Sequence, residues 1–393
     1  MTRRESLALG CGSKVPASRG RGVDGPVPDR SGRLEDFLPY FVAAGMPTMG
    51  RVERRTGGSV IARVTLDDRL HDLTANPGNS VAYAALSDSV AFIGSHHEVL
   101  CVIPAGGHPR ALTIGADGSR LYTVNHGDSV SVIDISDHRV GVIPGACCVQ
   151  QVDTPDGALI YAAGNATNRG RVWVLGEGTA AGVAVAGFDG RSVTGFAADS
   201  QRRRLYVGLC RRSDYHHQYD AGSLAVIDTA TDVVIRTVGL IGAPDTITVG
   251  GSMVYATHYD HSCVSAIDLS SFDVTLIRLG DSPIEAQITP DGLQAYVISS
   301  GSLSVIDTVA GEAERIPVGD LPRCVRISPS GKYAYVSHFG AGSVSIVDTI
   351  AQCVTDTIDV DGHPEALAVS ADGDRLYVGD YWSGTVTVLS VQP

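Results

Sequence analysis

The chain repeats itself. "GGHPRALTIGADGSRLYTVNHGDSVSVIDIS", "GDSPIEAQITPDGLQAYVISSGSLSVIDTV", "GDLPRCVRISPSGKYAYVSHFGAGSVSIVDTI" and "DGHPEALAVSADGDRLYVGDYWSGTVTVLSV" align without gaps of consequence. One tyrosine recurs at Tyr83, Tyr122, Tyr161, Tyr206, Tyr255, Tyr296, Tyr335 and Tyr377, seven steps with a mean of 42 residues. Each unit reads as four strands: one after a proline, one around the tyrosine, one of the "SVSVID" type, and a short apolar run. Units of roughly 40–45 residues with four strands each are the sequence signature of a propeller blade. The chain is therefore expected to be all-β, a β-propeller of eight four-stranded blades. Seven remain if the divergent first unit, "HDLTANPGNSVAYAALSDSVAFIG", is not a full blade.

The last unit ends after three strands, and a spare strand, "SVIARVTL", precedes the first. Pairing of that N-terminal strand with the C-terminal blade would close the ring and remove its open edges. Residues 49–393 are read as one propeller domain. Residues 1–48 lie outside the repeat, and residues 1–33 carry seven Arg or Lys against three Asp or Glu. That stretch reads as a disordered basic Gly/Pro/Arg-rich tail.

At "LYTVN", "LYVGL", "AYVSH" and "LYVGD", flanked by "P…SADG" and "SVSVIDT", the sequence resembles the YVTN-repeat β-propeller family. The resemblance covers about 335 residues, from Ser59 onward, and implies the fold. Relatives of that kind include surface-layer proteins, lactonase-like and muconate-cycloisomerase-like proteins, and propellers that hold haem d1. None of their catalytic sequences can be matched here residue by residue.

Composition narrows the function classes. A net charge of −13 argues against a broad phosphate-binding surface, so no nucleic-acid partner is expected. No run is long enough for a membrane-spanning helix. "LALG" after the first basic residues is too short for a signal-peptide core, so a cytoplasmic protein is expected; an upstream start would leave export as the alternative. The cysteines show no metal-finger spacing, and Cys101, Cys263, Cys324 and Cys353 read as small hydrophobes in strands. A monomer is expected.

Connectivity sorts the polar residues by face. The aspartates of the "ADG/PDG" turns (Asp117, Asp156, Asp291, Asp372) and those ending "VID" (Asp134, Asp228, Asp268, Asp307, Asp348) fall on one face. Their recurrence marks them as turn-builders. The other face collects the second-to-third-strand turns and the inter-blade links, and with them eight of the twelve histidines. It holds the mouth of the central channel, a natural concave site. Its candidate ligand-binding residues are His108, Arg110, His126, Arg211, Arg212, Tyr215, His216, His217, Tyr219, Asp245, His258, His261, Glu285, Arg323, His338, His363, Glu365, Asp380 and Tyr381. The residue after each link proline (Arg110, Asp245, Ile284, Arg323, Glu365) is expected to look into the mouth. The segment "CRRSDYHHQYDAG", Cys210 to Gly222, is longer than the turn requires and reads as a recognition loop.

Three functions fit this pattern. A non-enzymatic binding or scaffold propeller would use the mouth face to hold a small polar ligand or a protein partner, and needs no cofactor. A lactonase-like hydrolase or isomerase would use Glu285, Glu365 or Asp380 with the arginines. A divalent metal or a haem d1-type tetrapyrrole would draw on His258 and His338, which stand where blade 2 has Asn125; the plainer role for those two is to hydrogen-bond the turn.

Overall fold

The computed structural model describes residues 58–391, apart from 116, 127–128, 145–147, 155–156, 167–168, 176–182, 189 and 213–218. The tail over residues 1–48, the turn residue Asp156, and the loop residues Tyr215, His216 and His217 lie outside the described residues. Eight antiparallel four-stranded sheets are present. In chain order, the innermost strands of blades 1 to 8 begin at Asp72, His108, Cys148, Ser192, Ile247, Pro283, Pro322 and Pro364. The divergent first unit is thus a complete blade, Asp72–Ala75 leading to Val99–Pro104. Among the described residues no helix is long and apolar enough to cross a membrane.

The eighth sheet is completed by the strand Ser59–Thr65, which pairs antiparallel with Thr385–Ser390, from Ser59 opposite Ser390 to Thr65 opposite Thr385. Val64 of this strand is buried against Val386 and Val388. Leu66 N–H donates to the Gly384 carbonyl at 3.0 Å and Leu70 N–H to the Tyr381 carbonyl at 3.2 Å. Arg63 pairs with Asp361 at 2.8 Å. Ladder, apolar contact and ion pair together fasten the closing strand to blade 8.

The core explains the recurring tyrosine. It is built as apolar clusters that each bridge one blade and the next, and every cluster holds the tyrosine of the earlier blade. Tyr83 packs with Leu121 and Ile133 of blade 2, Tyr206 with Val254 and Ile267 of blade 5, and Tyr377 with Ala82 and Ile93 of blade 1. All eight tyrosines are buried. A flat ring with a polar tip fills the wedge between twisted sheets while its hydroxyl reaches the turns. Asn76 donates to Tyr83 Oη at 2.9 Å, and Tyr161 Oη donates to Asp232 Oδ1 at 2.9 Å.

The described turn aspartates build turns. Asp117, Asp291 and Asp372 each accept the N–H two residues on, at 3.0, 3.0 and 3.1 Å. Asp134, Asp228, Asp268, Asp307 and Asp348 do the same after the third strand, at 2.7–2.9 Å. Hydrogen bonds from Ser270 and Ser271 hold the Asp268 carboxyl down at about 2. Cys263 and Cys324 are buried as expected, whereas Cys353 is exposed.

Candidate site at the channel mouth

One backbone device positions the mouth. In blades 2, 6, 7 and 8 the register of the innermost strand slips between the link proline and the second residue after it: Pro109/Ala111, Pro283/Glu285, Pro322/Cys324 and Pro364/Ala366. The residue between them sits at a β-bulge, which re-aims its side chain out of the alternation of the strand. Those residues are Arg110, Ile284, Arg323 and Glu365. Blade 4 slips at Thr194. In blade 5 Asp245 and Thr246 both face Thr257, whose carbonyl accepts Asp245 N–H at 2.8 Å. In blade 1 His71 N–H bonds the Ala85 carbonyl at 2.8 Å while Asp72 pairs with the same Ala85. His71 therefore occupies the bulge position of blade 1, with Leu70 standing for the proline.

Neighbouring blades pair their bulge residues. The Arg110 guanidinium donates to His71 Nδ1 at 3.0 Å. Arg323 lies 3.3 Å from Glu365, both largely buried, and its guanidinium sits 5.7 Å from the Phe339 ring centroid. Asp245 is exposed instead, and its carboxylate caps its own turn by accepting Tyr259 N–H at 2.6 Å.

Deeper on the same strands lies a charged cluster. Glu285 pairs with Arg326 at 2.5 Å and also accepts Val325 N–H at 3.2 Å. Asp72 accepts Leu73 N–H and Leu112 N–H, both at 2.8 Å. Burial pushes the Asp72 carboxyl up to about 6, against the pull of the Arg326 charge and those two N–H groups. Asp72 and Glu285 share a role, since each ties its innermost strand to the backbone of the next blade. Glu285 thus belongs to the channel wall, one step below the mouth.

The candidate histidines divide into staples and fillers. His108 and His363 are exposed, and each donates from Nδ1 to a carbonyl of the preceding blade's turn, Ser87 at 2.8 Å and Phe339 at 3.1 Å. The His363 ring also rests on Phe339, centroids 4.7 Å apart. His258 and His338 are buried and do not face the mouth. His258 Nδ1 donates to the Ala243 carbonyl at 3.1 Å, and its Nε2 accepts from Ser265 Oγ at 2.8 Å. His338 Nε2 bonds Ser345 Oγ at 2.8 Å, while Nδ1 is buried without a described partner. Burial lowers both imidazoles, His338 to about 4. Asn125 fills the same slot in blade 2, bonding Ser131 Oγ at 2.7 Å. His126 and His261 are exposed beside them.

Asp380 is also interior. Its carboxylate accepts N–H groups from His363 and Ser383, the latter at 2.6 Å, and despite burial they hold it below the usual carboxylate range. Tyr381 is buried at 6 % exposure and packs against His71, ring centroids 5.3 Å apart. The blade 4 insertion begins as a lengthened hairpin, with Arg211 opposite Asp220 and Arg212 opposite Tyr219. Arg211 is exposed; the side chains of Arg212 and Tyr219 lie outside the described residues. Among the described residues no group of three or more His, Cys, Asp or Glu side chains is placed to hold a metal ion.

His71, Asp72 and Arg326 stand outside the candidates drawn from the sequence. The signal for the first two was the apolar Leu70 in the proline's column, visible once "LHDL" is aligned under "HPRAL".

No protein-family model matches the chain, and no curated protein is a significant match. Among solved structures it is similar to a chain of Kuenenia stuttgartiensis hydrazine synthase, 18 % identical, with a TM-score of 0.56 over 87 % of this chain and 99 % of that one. At that identity the likeness shows the propeller fold alone.

Proposed function

We propose that this is a YVTN-type binding propeller whose channel mouth holds a small polar ligand. The observation that supports the reading is the repeated bulge at Arg110, Arg323 and Glu365, matched by His71 in blade 1, with Arg110 paired to His71 and Arg323 to Glu365 across neighbouring blades. Blade geometry alone does not call for charge at a bulge, since Ile284 occupies the same position in blade 6. These two pairs of partly buried guanidinium, carboxylate and imidazole groups supply both donors and acceptors, which suits a ligand bearing an acid together with a donor group.

The test is titration calorimetry of the purified chain against a panel of small organic acids, hydroxy acids and amino acids, beside denaturing mass spectrometry for co-purified small molecules. A panel member should bind, and Arg323→Ala should weaken it about tenfold or more, the scale of one lost charge-assisted contact. Wild-type protein that binds no panel member and carries no small molecule would overturn the reading.

One observation favours a second reading, a hydrolase or isomerase on a lactone or small acid. The Asp72 carboxyl, pushed up to about 6, stands near the range useful for proton transfer. Both its oxygens are already committed to backbone N–H groups, which favours anchoring over catalysis. Lactone turnover lost in Asp72→Asn would reverse that preference.

A further inference from the structure

The outer edges of the blades are not protected alike. An unpaired edge strand is a template for another chain, and proteins blunt such edges with bulges, prolines or charges. The ladder to the outer strand slips in blades 1, 3, 4, 7 and 8, at Phe92/Ile93, Val172/Trp173, Val226/Ile227, Ile346/Val347 and Val60/Ala62. Each of those edges is therefore bulged. Blade 2 ends its outer strand, Val140–Pro144, in a proline, and blade 6 sets Glu314 and Arg315 inside Ala313–Ile316. Blade 5 has neither slip nor proline. Its outer strand, Val274–Arg278, pairs evenly from Val274 opposite Ile267 to Arg278 opposite Cys263, and its one charge stands at the end. Val274 is 40 % and Leu276 36 % exposed, and the two share one face. Asp268 N–H donates to the Asp273 carbonyl and Leu279 N–H to the Ser262 carbonyl, both at 3.1 Å. Asp273 and Leu279 thus bond inward, and alternation along the ladder turns the N–H and C=O groups of Val274, Leu276 and Arg278 out to the edge.

We propose that this edge pairs two copies of the chain, antiparallel about a two-fold axis at Leu276, so that the monomer expected from the sequence is in equilibrium with a dimer. The strand is complementary to itself in that register. Leu276 stands opposite Leu276 of the second copy, Val274 opposite Arg278, and Thr275 opposite Ile277. The three outward residues of each copy then exchange about six backbone hydrogen bonds. Leucine packs on leucine at the axis, and the aliphatic stem of Arg278 lies along Val274 with its guanidinium in water. No like charges are opposed. An axis at Thr275 would pair only Val274 with Leu276 and leave Arg278 outside. A five-residue edge buries less than the ~1,200 Å² of a stable complex, so the dimer is weak, with a Kd of about 100 µM.

Sedimentation velocity of the full chain from about 5 to 500 µM reads the equilibrium. The wild-type mass should rise with concentration toward twice that of the monomer. Leu276→Lys and Leu276→Glu should each hold the chain monomeric, because the axis sets that residue against itself. An equimolar mixture of the two variants should dimerise again, since opposite charges then face each other. Val142→Lys, at 38 % exposure on the outer strand of blade 2, should leave the wild-type equilibrium unchanged. Both positions are exposed, so the variants leave the core intact, which circular dichroism checks. A wild-type chain that stays monomeric throughout the range overturns the proposal. So does a dimer that survives Leu276→Lys, or a mixture of the two charged variants that stays monomeric.

Discussion

Replacing Asp72 by Asn tests whether the channel cluster has the electrostatics its geometry implies. The folded carboxyl titrates at about 6 against an ordinary value of 3.8, chiefly because it is buried. Between those two values the folded chain holds a proton that the unfolded chain has released. Stability from this group is therefore fully present below about pH 4 and is lost as pH rises through 6. A gap of about two pH units at 1.36 kcal/mol each sets the total at roughly 3 kcal/mol. Asn removes the titration and keeps the shape. It also costs one N–H acceptor at Leu73 or Leu112, about 1–3 kcal/mol, but that cost does not vary with pH. Arg326 retains Glu285 at 2.5 Å in either protein. Urea unfolding of both proteins from pH 4 to 7.5 isolates the effect as the difference between their stabilities. Wild type should gain on Asp72→Asn by about 2–3 kcal/mol toward the acid end. A difference flat to within about 0.5 kcal/mol, or one of opposite slope, would refute the argument.

His338 should act in the opposite sense. Its imidazole is lowered by burial from 6.5 to about 4, so its contribution is present above pH 6.5 and lost as pH falls toward 4. His338→Asn, which borrows the residue of blade 2, should flatten that acid loss by about 3 kcal/mol in the same urea series; an unchanged acid limb would count against the buried neutral ring. At the ring closure, Gly384 has φ +62° and an added Cβ would meet the Asp68 carbonyl oxygen far inside contact distance. Gly384→Ala should lower stability by more than about 3 kcal/mol, whereas Gly311→Ala, at φ +70° with open space around it, should cost only about 1 kcal/mol. Equal losses in thermal unfolding would mean that conformation alone, and not the close approach at the closure, sets the cost.

Blade number and ring closure were legible because a repeat makes each copy test the others. A tyrosine every 42 residues has to serve one position, and the structure shows that position to be the wedge between blades. The mouth was legible in part. Proline marks the residue that follows it, so Arg110, Arg323 and Glu365 could be picked out, while His71 was hidden by Leu70. Depth was not legible. A bulge inserts one residue and reverses the in-out parity of everything after it, so counting from the proline could not tell that Glu285 faces Arg326 in the channel wall. His258 and His338 show another limit. Asn and His at one column look like exposed polar residues, yet both fill a slot whose buried character is set by the link above and the serine of the third strand below.

The closing strand has a consequence for when the site exists. Arg69 and His71 are reached early in the chain, Tyr381 and Trp382 some three hundred residues later. They become neighbours only when blade 8 receives its outer strand, so a partly assembled ring carries no half-strength version of the rim. Contacts of such sequence separation form late in folding. The seam is also where local opening should be easiest, since it is a junction between chain segments that are not connected in sequence. A ligand bound across the rim of blades 8 and 1 would act there as a clasp, slowing hydrogen exchange at the Leu66 and Leu70 amides first. Occupancy and closure would then be one equilibrium, seen from the ligand or from the chain.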